Sequence, residues 1–210
     1  EEGVSASQYV DSFWKENGCA TPEQVRQLMQ GIEHCLMKNA ELSAKDRCSH
    51  PAAVSPLDTG DAAPIFRSQY PIPYSLESVV SERVKTWVDE GVVMLAPHSS
   101  PWNSPLLVVK KKDAKGKLTK HRICLDPRGI NELLPDSPLT VPRISDIFTR
   151  LHGFVIASAL DLQDSYHQFS VRVCDRIKTT FTWKGIRYMF VGAPFGLKPL
   201  TQLFQSAMEQ

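Results

Sequence analysis

The chain has 210 residues, an apolar fraction of 42% and a formal net charge of +1, so it can bury a core in one large or two small domains. No apolar run approaches the roughly 20 residues that cross a bilayer, and the acidic start Glu1-Glu2 lacks the basic region of a secretion signal; an intracellular protein with no membrane partner is expected. The near-neutral total hides an asymmetry, because residues 1–60 carry nine acids against five Lys or Arg, whereas residues 106–130 carry eight Lys or Arg against two acids.

In chain order, the first fifty residues predict a helical extension. Tyr9, Val10, Phe13 and Trp14 recur at helical spacing before Gly18. Thr21-Pro22-Glu23-Gln24 sets a cap, a first-turn proline and a capping-box Gln in register, ahead of the stripe Val25, Leu28, Met29, Ile32 and Leu36. Such a pair is most simply a helical hairpin, with a protein-interaction module as a weaker alternative. Residues 51–74, rich in Ala, Ser, Pro and Asp, predict a linker passing into the extended arm Tyr70-Pro71-Ile72-Pro73. Ser75 is the expected cap of a helix with the inward face Leu76, Val79, Val80, Val84, Trp87 and Val88, ended by Gly91.

A strand is expected at 92–95, then the turn-rich crossing His98 to Pro105, then Leu106–Lys112 paired with Lys120–Asp126. Pro142–Leu151 predicts a helix with Ile144, Ile147, Phe148 and Leu151 on one side. An apolar run then delivers Asp161 to the end of a strand. Strands at 178–183 and 186–191 flank Lys184-Gly185, a two-residue hairpin turn, and a helix opens at Leu200. The mixture is α+β. Five cysteines, at 19, 35, 48, 124 and 174, form no CxxC pair, and reduced thiols are expected; Cys19, Cys35, Cys48 and His50 match no standard zinc-finger spacing.

Four blocks stand in a fixed order: Lys110-Lys111-Lys112-Asp113, then His121-Arg122-Ile123-Cys124-Leu125-Asp126-Pro127-Arg128-Gly129-Ile130-Asn131, then Ser158-Ala159-Leu160-Asp161-Leu162-Gln163-Asp164-Ser165-Tyr166-His167-Gln168-Phe169, then Ala193-Pro194-Phe195-Gly196-Leu197. As an ordered set they resemble the reverse transcriptase of gypsy-type LTR retrotransposons, from about Pro56 to Gln210. The resemblance implies a partial right-hand polymerase: a helical extension at 1–50, a linker at 51–74, fingers at 75–135 and the start of the palm with a returning finger hairpin at 136–210. The family's second catalytic block, an aromatic-x-Asp-Asp turn, is expected beyond Gln210, and no Asp-Asp pair occurs in the chain. After Phe195-Gly196 the family's usual Gly-Leu-x-Asn-Ala-Pro form is replaced by Gly196-Leu197-Lys198-Pro199-Leu200-Thr201.

Nucleotidyl transfer with two divalent ions needs at least two converging carboxylates. The resemblance makes Asp161 the first of them, with the Leu162 carbonyl as a further ligand and Mg²⁺ or Mn²⁺ as the cofactor. Lys111 and Arg122 are the finger cations expected on the triphosphate of an incoming deoxynucleotide, Lys as a point charge and Arg as a planar fork. Asp164 and Ser165 are expected near that triphosphate, Asp164 also as a helix cap. Tyr166 is expected beneath the sugar, where its ring would exclude a 2′ hydroxyl, and Phe195-Gly196 behind the nucleotide. Lys115, Lys117, Lys120 and Arg128 are expected to meet primer-template phosphates, and Trp102 to border the template, stacking or simply packing. Asp126, Arg128 and Asn131 are expected to hold the strand exit by an ion pair and turn hydrogen bonds. The implied activity is RNA-directed DNA synthesis. Its partners would be an RNA/DNA primer-template, deoxynucleoside triphosphates and the rest of a polyprotein, including the remaining palm and an RNase H-like domain, in the cytoplasm or in virus-like particles. The alternative is a nucleic-acid-binding remnant without catalysis.

Overall fold

A computed structural model describes residues 21–112, 118–136, 143–152, 162 and 164–209. The chain divides into two compact units, residues 1–46 and 47–210. Helix α1 (Pro22–Ala40) dominates what is described of the first. It opens on the expected capping box: the Gln24 amide donates to Thr21 Oγ1 at 3.4 Å and the Thr21 amide to Gln24 Oε1 at 2.9 Å, with Pro22 in the first turn. Ile32 and Leu36 stay more than a third exposed. The expected helix around Tyr9–Trp14 lies outside the described residues.

The second unit holds strand β1 (Val54–Ser55), helix α2 (Tyr74–Asp89), strands β2 (Val93–Leu95), β3 (Leu106–Lys112) and β4 (Leu118–Leu125), and helices α3 (Arg128–Leu133) and α4 (Ile144–Arg150). Strands β5 (Ser170–Val171), β6 (Phe181–Trp183) and β7 (Ile186–Phe190) and helix α5 (Leu200–Met208) complete it. The strands form a parallel pair β1–β5, an antiparallel sheet in the order β2–β7–β6, and the antiparallel ribbon β3–β4. Lys184 and Gly185 carry φ of 47° and 79°, the doubly positive turn that a two-residue hairpin requires between β6 and β7.

Two apolar clusters organise this unit. One joins α2 to the β2–β7–β6 sheet and the ribbon through Val80, Val84, Trp87, Val93, Leu106, Ile123, Leu125, Phe181 and Phe190. The other gathers Ala53, Leu57, Ile130, Leu134, Phe169, Val171, Ala193, Leu197 and Leu200. Leu57 and Ala53 lie inside the expected linker, so the start of 51–74 is not a tether. Alternation along Val54–Ser55 buries Ser55, β1 pairs with β5, and the buried Asp175 carboxylate accepts from the Leu57 amide at 3.0 Å while holding Arg172 at 2.6 Å and Lys178 at 2.7 Å. Burial alone would raise the Asp175 carboxyl, but that amide and the two cations hold it below the ordinary carboxylate range.

Other expectations are corrected. Helix α2 starts at Tyr74 after Pro73 with no side-chain cap, rather than on Ser75. Residues 173–179 wind as a 3-10 turn, so the expected strand at 178–183 shortens to 181–183. The turn after β4 contains the short helix α3. Among the described residues no helix is long and apolar enough to cross a membrane.

Candidate nucleotide and nucleic-acid site

The ribbon presents two chemically different faces. Leu106 pairs with Leu125, Val108 with Ile123 and Lys110 with His121; period-two alternation puts these positions on the face that enters the core. Val109 pairs with Arg122 and Lys111 with Lys120, placing positions 111 and 122 together on the opposite face, one pair apart. Lys115 and Lys117 lie outside the described residues. Arg122 is exposed, forms no salt bridge among the described residues, and sets its guanidinium 5.5 Å from the centre of the Phe195 ring.

Phe195 is the meeting point of three sequence blocks. Beyond Arg122, the Tyr166 ring meets it edge-on at 5.2 Å and the His167 ring at 5.3 Å. Tyr166 also meets Phe204 at 5.8 Å, and Phe204 lies 5.7 Å from Phe169, so Phe204 is packed between two rings. The half-buried Tyr166 therefore has a structural duty whatever else it does. Gly196 takes φ of 86°, and a Cβ there would sit 3.2 Å from Pro127 Cγ, so the Phe195 loop rests directly on the turn that follows β4.

That turn is braced. The Arg128 guanidinium donates to both oxygens of Asp126 at 2.9 and 2.7 Å, and Tyr70 Oη to Asp126 Oδ2 at 3.1 Å. The Arg128 hydrogen bond keeps the buried Asp126 carboxyl below its ordinary range against its desolvation. Arg128 thus does the structural work expected of it, while two thirds of its side chain stays exposed. Trp102 is only 6% exposed, so its ring packs among its neighbours. The neighbouring Asn103 explains the rigid turn: its side chain donates to the Arg67 carbonyl at 2.7 Å and accepts from Thr182 Oγ1 at 2.7 Å.

Asp161 lies outside the described residues; Leu162 just after it is half exposed. Asp164 takes φ of 45° ahead of the 3-10 turn Ser165–Gln168, in which Ser165 is half-buried, and makes no side-chain cap; its carboxylate instead lies 3.6 Å from Arg83. Among the described residues no three His, Cys, Asp or Glu side chains converge as a metal site, so the residues in view do not assemble a two-ion centre. Burial pushes the Cys124 thiol up despite Arg122 and Arg83 nearby, the signature of an unreactive thiol.

Arg83 and His167 escaped the sequence reading. Arg83 stands four residues before Trp87 and lies 5.4 Å from its ring while facing Asp164, so a lone cation beside an apolar stripe was the signal. His167 Nδ1 lies 3.0 Å from the Ala193 carbonyl, in hydrogen-bond reach. Burial drives its pKa down to about 4, outweighing the Asp164 charge.

The fold is a mixed α/β, polymerase-like one. It matches the structure of a foamy viral protease-reverse transcriptase in complex with dsDNA at a TM-score of 0.73, with 19% identity, over 99% of this chain and 42% of that one. The native prototype foamy virus protease-reverse transcriptase gives a TM-score of 0.69 at 21% identity, over 98% of this chain and 26% of that one. No protein-family model matches the chain. Its homologues are Pol polyproteins of gypsy and other transposons. The gypsy Pol polyprotein of Drosophila melanogaster is 34% identical over 160 residues, 75% of this chain and 15% of the relative. That of Drosophila transposon 412 is 33% identical over 149 residues, 70% and 12%, and the Gag-Pol polyprotein of gibbon ape leukemia virus is 29% identical over 167 residues, 76% and 10%. The chain spans 12 to 16% of the length of its transposon relatives.

Proposed function

We propose that this chain is the fingers and the beginning of the palm of a retrotransposon reverse transcriptase, serving RNA-directed DNA synthesis. The observation that carries the reading is the convergence of three separate blocks on the Phe195 ring, with the Arg122 guanidinium 5.5 Å and the Tyr166 ring 5.2 Å from its centre. An exposed guanidinium with no salt bridge among the described residues suits a polyanionic triphosphate whose transition state needs placed cations. Lys111, on the same ribbon face, would add a second cation, with Asp164 and Ser165 nearby. The Tyr166 ring would lie beneath the sugar with Phe195-Gly196 behind it; replacing Tyr166 by Ala raises ribonucleotide incorporation if so. Asp161 and the Leu162 carbonyl would be this chain's share of a Mg²⁺ or Mn²⁺ site that needs a further carboxylate.

Primer-template contact falls to Lys115, Lys117, Lys120 and Arg128. The complex with dsDNA known for the foamy viral relative supports a duplex partner here. The test is binding of residues 1–210 to primer-template across a salt series. Affinity should fall steeply with salt and depend little on sequence, and replacing Lys115, Lys117 and Lys120 by Ala should flatten the log-log slope by about 2 to 3. The same protein should not extend a primer, because no Asp-Asp pair occurs in these residues. Salt-insensitive, sequence-specific binding would sink the fingers assignment.

A further inference from the structure

Nothing in the proposed chemistry accounts for Asn131, yet its amide is used at both ends. Nδ2 donates to the Gly196 carbonyl at 2.8 Å, and Oδ1 accepts from the Lys198 amide at 2.9 Å. Lys198 turns back on the same turn: its ammonium donates to the Leu134 carbonyl at 3.1 Å and pairs with Asp136 at 2.6 Å. The two contacts of Asn131 straddle Leu197, which is 2% exposed and shares a core cluster with Ile130 and Leu134. With Gly196 seated on Pro127, the loop carrying Phe195 is held on one side by packing and on the other by Asn131 on its backbone and by Lys198 on the turn.

We infer that Asn131 is a positioning residue for nucleotide capture: it fixes the Gly196–Lys198 backbone so that Phe195 stays under Arg122 and against Tyr166, without touching nucleotide itself. This rests on the nucleotide-site reading above. The geometry demands an amide. Two backbone groups of opposite polarity, a carbonyl and an N–H, must be met by one side chain of this length, and only Asn offers a donor and an acceptor there. Aspartate keeps the bond to the Lys198 amide but sets a carboxylate oxygen against the Gly196 carbonyl; glutamine is a methylene too long. Moving Phe195 shifts the ring that the Arg122 guanidinium faces, so the consequence is borne by a cation that the substrate needs.

The experiment is steady-state incorporation by the Pol polyprotein that carries these residues, comparing wild type, Asn131→Ala, Asn131→Asp, Asn131→Gln and Arg122→Ala, each with a thermal melt. Asn131→Ala and Asn131→Asp should raise the KM for deoxynucleotide about tenfold, the scale of one or two ordinary hydrogen bonds, while kcat and primer-template affinity stay within about twofold. Asn131→Gln should not rescue. If Arg122→Ala raises KM and the Asn131 variants do not, the positioning role is overturned and the nucleotide site stands. If Arg122→Ala leaves KM unchanged, the site reading itself fails. Loss of folding in Asn131→Ala passes the decision to Asn131→Asp, which is isosteric; loss of folding in both makes Asn131 a stability residue and overturns the inference.

Discussion

Helices α2 and α4 read alike in the sequence and differ in the structure. Each carries apolar residues at three- and four-residue spacing on one side. In α2, Val80, Val84 and Trp87 are 0%, 3% and 1% exposed. In α4, Ile144 and Phe148 are 72% and 69% exposed, and Ile147 and Leu151 are more than two fifths exposed, although they share one side of the helix as expected. Helical periodicity specifies which side of a helix is apolar, but burial depends on what the rest of the chain brings to that side. Around α2 the chain brings a sheet and a ribbon; around α4 no apolar side chain joins either core cluster among the described residues.

The largest break in this comparison is Trp87→Ala. The ring meets Phe190 at 5.2 Å and Phe181 and His167 at 6.2 Å, all edge-on, and lies beneath Arg83. Its removal should cost about 3–5 kcal/mol, a fall in Tm on the order of 10 °C by differential scanning calorimetry. Trp87→Phe should recover much of that loss, because the indole Nε1 is buried with no hydrogen-bond partner among the described residues. Equal melting of wild type and Trp87→Ala would mean that α2 is no better seated than α4.

A smaller loss is expected on acidification, and it falls on the α2 side alone. His167 packs against Trp87, with Asp164, Arg83 and Arg47 as the charged groups acting on it. Its pKa is depressed from 6.5 to about 4, so the unfolded chain binds a proton that the folded chain refuses. Stability is therefore full above pH 6.5 and is lost as pH falls through about 4, by at most about 3 kcal/mol. Asp126 and Asp175, both held below their ordinary 3.8, keep their contributions throughout that window and lose them only at lower pH. Urea midpoints between pH 7 and 4.5 test this: His167→Phe should flatten the pH dependence. A slope unchanged in that variant would assign the acid sensitivity elsewhere.

Legibility followed how local the cause was. The Thr21 capping box, the Lys184-Gly185 turn and the β3–β4 pairing are written in short stretches, and the structure reproduces them. Ser75 misled because a good capping residue was outranked by Pro73, whose fixed φ already starts the turn. Residues 53–57 read as linker because nothing local marks their burial: the acceptor for the Leu57 amide is Asp175, more than a hundred residues on. In the site, residue types pointed to Arg122, Tyr166 and Phe195, whereas their convergence is a tertiary fact. Trp102 shows the converse, since its residue type fits either stacking or packing and its burial is visible only in the fold.

The smallest effects are expected in α4, and they sharpen the contrast most. Ile144→Ser and Phe148→Ser each remove a large apolar side chain, yet both positions are more than two thirds exposed, so little area is returned to water on unfolding. Each should change stability by less than about 0.5 kcal/mol, the range of ordinary surface substitutions, against about 1–3 kcal/mol for the volume-reducing Val84→Ala in α2. The double serine variant should also bind less of a dye that reports exposed apolar surface, because Ile144, Ile147, Phe148 and Leu151 together make a patch rather than scattered side chains. Helix content should hold, since the helix is anchored by its own backbone and by the Thr149 hydroxyl on the Ser145 carbonyl at 2.9 Å. A melt lowered as far by Phe148→Ser as by Val84→Ala would show that α4 is covered in solution, and the two helices would then differ in partner rather than in burial.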